Sequence, residues 1–283
     1  MSTTVAVFLG LLVALTYGAG DFLGGLSSRR LDAVTVVQSS QLVGLAGLTV
    51  AVLLVPDQVL LGADLVRGAA AGTAGLLGLV LLYRGLAAGA MSIVAPVSAV
   101  GAAVLPLAWG LGQGERPSAL ALVGVALALV AVALVSSPGN DEAVAAGRSR
   151  EITLALLAGA AFGVLFILLG DTSDDSGLWP VFSARVTSAT LVTLVLLGMG
   201  RPPRVPPVGT RALVAGAGLL DVAANALFVY AARAGLLSLV AVLSSLYPAA
   251  TVVLARVVLH ERTDRRQQAG LVAALAGVVL IAV

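Results

Sequence analysis

Four ionisable side chains stand out within long apolar runs: Asp21, Arg185, Asp221 and Arg256. Charge is costly in such surroundings, so groups of this kind face a cavity or a partner. Asp221 and Asn225 are four residues apart, as are Tyr17 and Asp21, so each pair shares one face of a helix. Two carboxylates, a guanidinium, an amide and a phenol could border an aqueous cavity and hold a small polar solute. A carboxylate there could also exchange protons and couple solute movement to a proton gradient. The same residues fit a structural arrangement in which Asp221 and Arg185 form an ion pair that joins two helices. Gln38, Ser39, Ser40 and Gln41 make a polar band in another run. Gln38 and Gln41 share a face and could bond a solute or a neighbouring helix. Arg256, late in its run, suits a position at a membrane interface.

Enzymatic chemistry has thinner support. Gly18-Ala19-Gly20-Asp21 resembles the second motif of intramembrane aspartyl proteases, which need two apposed carboxylates. Asp221 is the candidate for the second, but the Tyr-Asp partner motif is absent. The lone histidine, His260, stands outside any H-E-x-x-H pattern, there is no cysteine and there is no P-loop. The expectation is a protein with no catalytic residues, no metal site and no cofactor.

The elements that position these groups are helices. The chain is 59% hydrophobic and 11% charged, with a mean hydropathy of +1.08. A soluble domain carries about 25% charged residues, so the composition is that of a polytopic membrane protein. Every basic residue is arginine and the net charge is +2, with no basic patch for nucleic acid. Ten apolar runs are long enough to cross a bilayer: roughly 4–25, 33–55, 65–87, 91–111, 118–136, 152–170, 177–198, 211–232, 236–259 and 267–283. They are too long and too evenly apolar for barrel strands, which leaves helices. The first run has no basic residues before it and reads as an uncleaved span.

The runs repeat. A shift of 146 residues carries Gly89 onto Gly235, Ser92 onto Ser238, Ser98 onto Ser244, Glu115 onto Glu261 and Arg116 onto Arg262. Nearly the same shift carries Tyr17-Gly18 onto Phe162-Gly163, Ser39 onto Ser183 and Gly72 onto Gly218; Gln41 falls opposite Arg185. The expected domains are a five-helix repeat over 1–137, a linker over 138–150 rich in Pro, Gly and Ser, and a second five-helix repeat over 151–283. Five is odd, so the halves would enter the membrane in opposite senses, as inverted repeats. The fold expected is all-α, with ten transmembrane helices and both termini on one side.

Five runs doubled to ten, Gly114-Glu115-Arg116 and His260-Glu261-Arg262 between the last two runs of each half, and Arg185 within the seventh resemble the EamA-type transporters of the drug/metabolite transporter superfamily. The resemblance implies a secondary transporter in the cell membrane that exports small metabolites such as amino acids or drugs by alternating access. A lipid-carrier flippase is a related alternative, and an intramembrane aspartyl protease using Asp21 and Asp221 a distant one. The implied partners are a small-molecule substrate, protons and the lipid bilayer. Candidate substrate or coupling residues are Tyr17, Asp21, Gln38, Gln41, Arg185, Asp221, Asn225 and Tyr247. Pro96, Pro106 and Pro248 interrupt helical runs and are hinge candidates. Glu115, Arg116, Glu261 and Arg262 are read as a structural repeat motif, the acidic member suited to the start of the following helix. Tyr83, Trp109 and Tyr230 fit an interfacial aromatic belt.

Overall fold

A computed structural model describes residues 3–28, 30–56, 58–87, 91–135, 148–201, 205–258 and 265–282. Among these residues the chain is helical and has no strand. The helices are α1 (Thr3–Ser28), α2 (Ala33–Leu54), α3 (Gly62–Ala87), α4 (Met91–Gly112), α5 (Ala119–Val135), α6 (Arg148–Gly170), α7 (Trp179–Gly198), α8 (Val208–Ala234), α9 (Leu237–Ser244), α10 (Tyr247–Val258) and α11 (Arg265–Ala282). Each expected apolar run is helical. Six helices, α1, α2, α3, α6, α7 and α8, are long and apolar enough to cross a membrane. In α4, α5, α9–α10 and α11 the apolar helical stretches are shorter. Large apolar side chains point outward from the bundle, Leu53 at 78% and Leu275 at 70% exposure, a surface that suits lipid rather than water.

The ninth run departs from expectation. It is two helices, α9 and α10, separated by a turn at Ser245 and Leu246. The cause is local: Pro248 has no N–H to donate back to the preceding turn. Leu246 bonds Leu243 and Ala249 bonds Leu246 over three residues instead. α4, in contrast, passes through Pro96 and Pro106 without a break. The stretch read as a linker also differs, since α6 begins within it at Arg148.

Helices from the two halves of the chain interleave. α1 packs on α8 and α3 on α6; α2 packs on α8 and α3 on α7; α4 packs on α6, α1 on α10, and α5 on α11. Glycine sets the closest of these contacts. A Cβ on Gly72 would stand 2.1 Å from the Ala184 carbonyl oxygen, and one on Gly218 would stand 2.2 Å from that of Ser40. No other residue fits there, and bare backbones are how helices approach closely in lipid.

One end of the bundle is closed by polar contacts between the halves. Gln58 donates from Nε2 to the carbonyls of Val52 and Val55 and accepts the Leu178 N–H at 2.6 Å. Asp64 accepts from the Ser173 N–H at 2.9 Å and from Arg67 at 2.7 Å. Trp109 Nε1 donates to Asp171 at 3.2 Å. Arg233, at the end of α8, donates to the carbonyls of Ser173 at 2.6 Å and Gly177 at 3.1 Å.

Glu115 belongs to this end, and its role differs from the expected one. It does not cap α5, the helix that follows it. Its carboxylate accepts the N–H groups of Leu237 at 2.8 Å and Ser238 at 3.1 Å, the first turn of α9 in the other half. A positive φ of 94° at Gly114 lets the chain turn back after α4, with the Glu115 N–H bonded to the Gly110 carbonyl at 2.9 Å. Acidic oxygens at a helix N-terminus complete its unmet donors and its dipole. Arg116 is exposed and donates to the Glu115 carbonyl at 3.4 Å. Glu261 and Arg262 lie outside the described residues.

Candidate substrate cavity

A cavity with about 750 Å³ of empty space, part of it open to solvent, lies between the halves, walled by α1, α2, α3, α4, α6, α7, α8 and the start of α10. Its polar lining comes from Tyr17, Asp21, Gln41, Arg185, Asp221 and Asn225, joined by Ser188 and Tyr247. The sequence candidates therefore converge on one space, apart from Gln38. That residue is 1% exposed and packs away from the cavity, with its Oε1 unbonded among the described residues.

Arg185 organises the site. It reaches across from α7, donating from one terminal nitrogen to Gln41 Oε1 and from the other to the Asp221 carboxylate. The ion pair considered from sequence forms, and it lies in the cavity wall. The guanidinium is buried; the Asp221 side chain keeps 34% exposure. Gln41 Oε1 also accepts from the Ser188 hydroxyl at 2.9 Å. The reason for such saturation is physical: a charge removed from water must be paired and its remaining donors occupied. Gly44 and Gly218 make room for the assembly, since a Cβ on Gly44 would meet the Gly218 carbonyl at 2.9 Å and the guanidinium at 3.6 Å. Asn225 turns back on its own helix and donates to the Asp221 carbonyl at 2.8 Å.

Asp21 is different. It lines the same cavity from α1, yet among the described residues it has neither an ion pair nor a hydrogen bond. A second, smaller hollow of about 310 Å³ shares Tyr17, Asp21 and Asp221 with the cavity. It adds Gly20, Ser40 and Ala217.

Tyr247 enters at the break between α9 and α10. Its hydroxyl is 3.5 Å from that of Ser98 on α4. α10 lies against α1 where Thr251 donates to the Gly18 carbonyl at 3.1 Å. Pro248 is buried at the second position of α10. Pro106 is buried within α4, and the side chain of Pro96 lies outside the described set. Of the aromatics assigned to a belt, Trp109 is partly exposed and bonded to Asp171, and Tyr230 lies beneath Arg233 at 5.9 Å. The side chains of Tyr83 and Arg256 are outside the described set.

Sequence reasoning missed the apolar walls: Leu76, Leu79 and Leu82 from α3, and Phe162, Leu165 and Phe166 from α6. Phe166 stacks on Phe228 at 4.4 Å between ring centroids and meets Tyr17 at 6.1 Å. One signal was present, because Phe162 is the repeat counterpart of the cavity residue Tyr17. The leucines gave none in a chain so rich in them.

Residues 149–283 match the family model described as the EamA-like transporter family. No curated protein matches the chain. Among solved structures, one described as "Crystal structure of protein" is 15% identical, covers 97% of this chain and 95% of its own, and has a TM-score of 0.78. At that identity the likeness is one of fold. The match over 149–283 and the six membrane-length apolar helices together support a multi-pass integral membrane protein.

Proposed function

We propose a carrier mechanism for this chain, whose residues 149–283 match the model of the EamA-like transporter family. It is a secondary active exporter of small metabolites in the cell membrane, with ten membrane-crossing segments arranged as two inverted five-helix repeats over 1–137 and 151–283. The observation that carries the reading is the cavity between the halves, with an uncommitted carboxylate beside a saturated ion pair. Ionisable groups that line a cavity within membrane helices mark solute or proton pathways.

Exchange of the two halves supports the repeat. The α1–α8 contact becomes α6–α3, and α2–α8 becomes α7–α3; α1–α10 becomes α6–α4, and α5–α11 maps onto itself. The glycines follow the same rule. Gly18 faces the Tyr247 carbonyl and Gly163 faces that of Gly101, while Gly218 faces Ser40 and Gly72 faces Ala184. Two similar halves around a central site are suited to rocking between states that open to one side and then the other.

Asp21 is the residue that couples transport to protons. Asp221 is held by Arg185, so a proton arriving there would have to break an ion pair, whereas Asp21 can take one without doing so. Gln41, Ser188 and Asn225 position the pair, and Tyr17 and Tyr247 close the cavity beside Asp21. Proton movement driven by solute in proteoliposomes tests this directly. Asp21→Asn is expected to abolish solute-driven proton movement. Full coupling in that variant overturns the assignment.

A further inference from the structure

The geometry points to an organic cation with an apolar or aromatic body as the substrate, its charge met by Asp21. This rests on the carrier reading above and names the substrate class of the same cavity. Among the described residues the lining holds a single cationic group, and that group already faces a carboxylate. Arg185 is 6% exposed, bonded through one nitrogen to Asp221 and through the other to Gln41, whose oxygen is also held by Ser188. Arg185 and Asp221 cancel each other. With Asp21 ionised, the cavity carries one uncompensated negative charge.

The walls select in the same direction. Leu76, Leu79, Phe162 and Phe166 make most of the cavity apolar around Asp21. Aromatic faces attract a cation through their quadrupole, and apolar walls strengthen the attraction between Asp21 and an opposite charge. An anionic solute would meet Asp21 with no free cation to offset it. A zwitterion fares little better, because its carboxylate would have to share Arg185 with Asp221. A neutral solute would leave Asp21 desolvated and unpaired. The cation alone satisfies the lining as it stands.

Four solutes that share one aromatic body and differ in charge decide the matter: phenethylammonium, phenylalanine, phenylpropionate and phenethyl alcohol. Their binding to the full chain in lipid nanodiscs is measured by calorimetry, and their flux is followed in proteoliposomes. Phenethylammonium is expected to bind about ten-fold or more tighter than each of the others. Asp21→Asn is expected to erase that preference and Asp21→Glu to retain it. Equal or tighter binding of phenylalanine or phenylpropionate overturns the cation assignment and leaves the carrier intact. An unchanged preference in Asp21→Asn overturns the role of Asp21. Absence of both binding and flux for all four solutes in the wild-type chain overturns the cation assignment, and the carrier reading fails separately if a wider solute screen also yields no flux.

Discussion

At the scale of single residues, the two carboxylates that look alike in sequence are placed in opposite circumstances. Asp221 has a cationic partner; among the described residues Asp21 has none. Removing Arg185 would leave Asp221 without its partner in an apolar wall, so Arg185→Leu is expected to destabilise the protein by about 3 kcal/mol. Adding Asp221→Leu should return part of that loss, because the orphaned charge goes with it. Thermal unfolding in detergent measures both, and a double variant less stable than Arg185→Leu would show that the pair is not the source. Gln41 is the amide anchoring the other side of the guanidinium. Its replacement by Leu is expected to weaken substrate binding more than it lowers stability, as comparison of calorimetry with melting would reveal.

Helix packing turns on positions where no side chain is tolerated and on one end cap. Gly218→Val would drive a side chain into the Ser40 carbonyl and is expected to cost about 1–3 kcal/mol or more. Gly209→Ala, on the same helix with nothing within 4 Å, should stay within about 0.5 kcal/mol of wild type. Equal melting temperatures for the two variants would contradict the close-packing account. Glu115 fastens α9 from the opposite half of the chain, and α9 leads directly into the turn that presents Tyr247. Glu115→Ala is expected to cost about 1–2 kcal/mol and to speed hydrogen exchange at Leu237 and Ser238. Unchanged exchange there would mean that the cap is not holding the helix. Glu115→Gln keeps acceptor oxygen but loses charge and should fall between.

Across the whole molecule, the polar contacts at one end tie first-half residues Gln58, Asp64, Trp109 and Glu115 to second-half partners. A rocking carrier must break these contacts in every cycle. The chain contains no cysteine, so the double variant Trp109→Cys/Asp171→Cys offers a clean site for a short thiol cross-linker. Cross-linking is expected to stop flux while leaving solute binding in the cavity, with recovery on reduction. Undiminished flux in the cross-linked protein would place the moving elements elsewhere.

The sequence by itself determined which segments are helical, that their outer faces suit lipid, and that residues recur at a near-constant interval across the two halves. Those properties follow from local composition and from residues recurring at a fixed interval, such as Gly72 and Gly218. It also exposed most of the polar cavity residues, because an ionisable group such as Arg185 or Asp221 in an apolar run is conspicuous wherever the chain folds. Tertiary structure alone decided the pairings. It joined Asp221 to Arg185 and left Asp21 without a partner among the described residues, it kept Gln38 out of the cavity lining while placing Gln41 in it, and it sent Glu115 to a helix more than a hundred residues distant. The physical reason is common to all three. Cost and periodicity are properties of one helix, but which charge meets which donor depends on how helices from opposite halves interleave. Among so many similar leucines, alanines and valines, that information is carried by shape rather than by residue type.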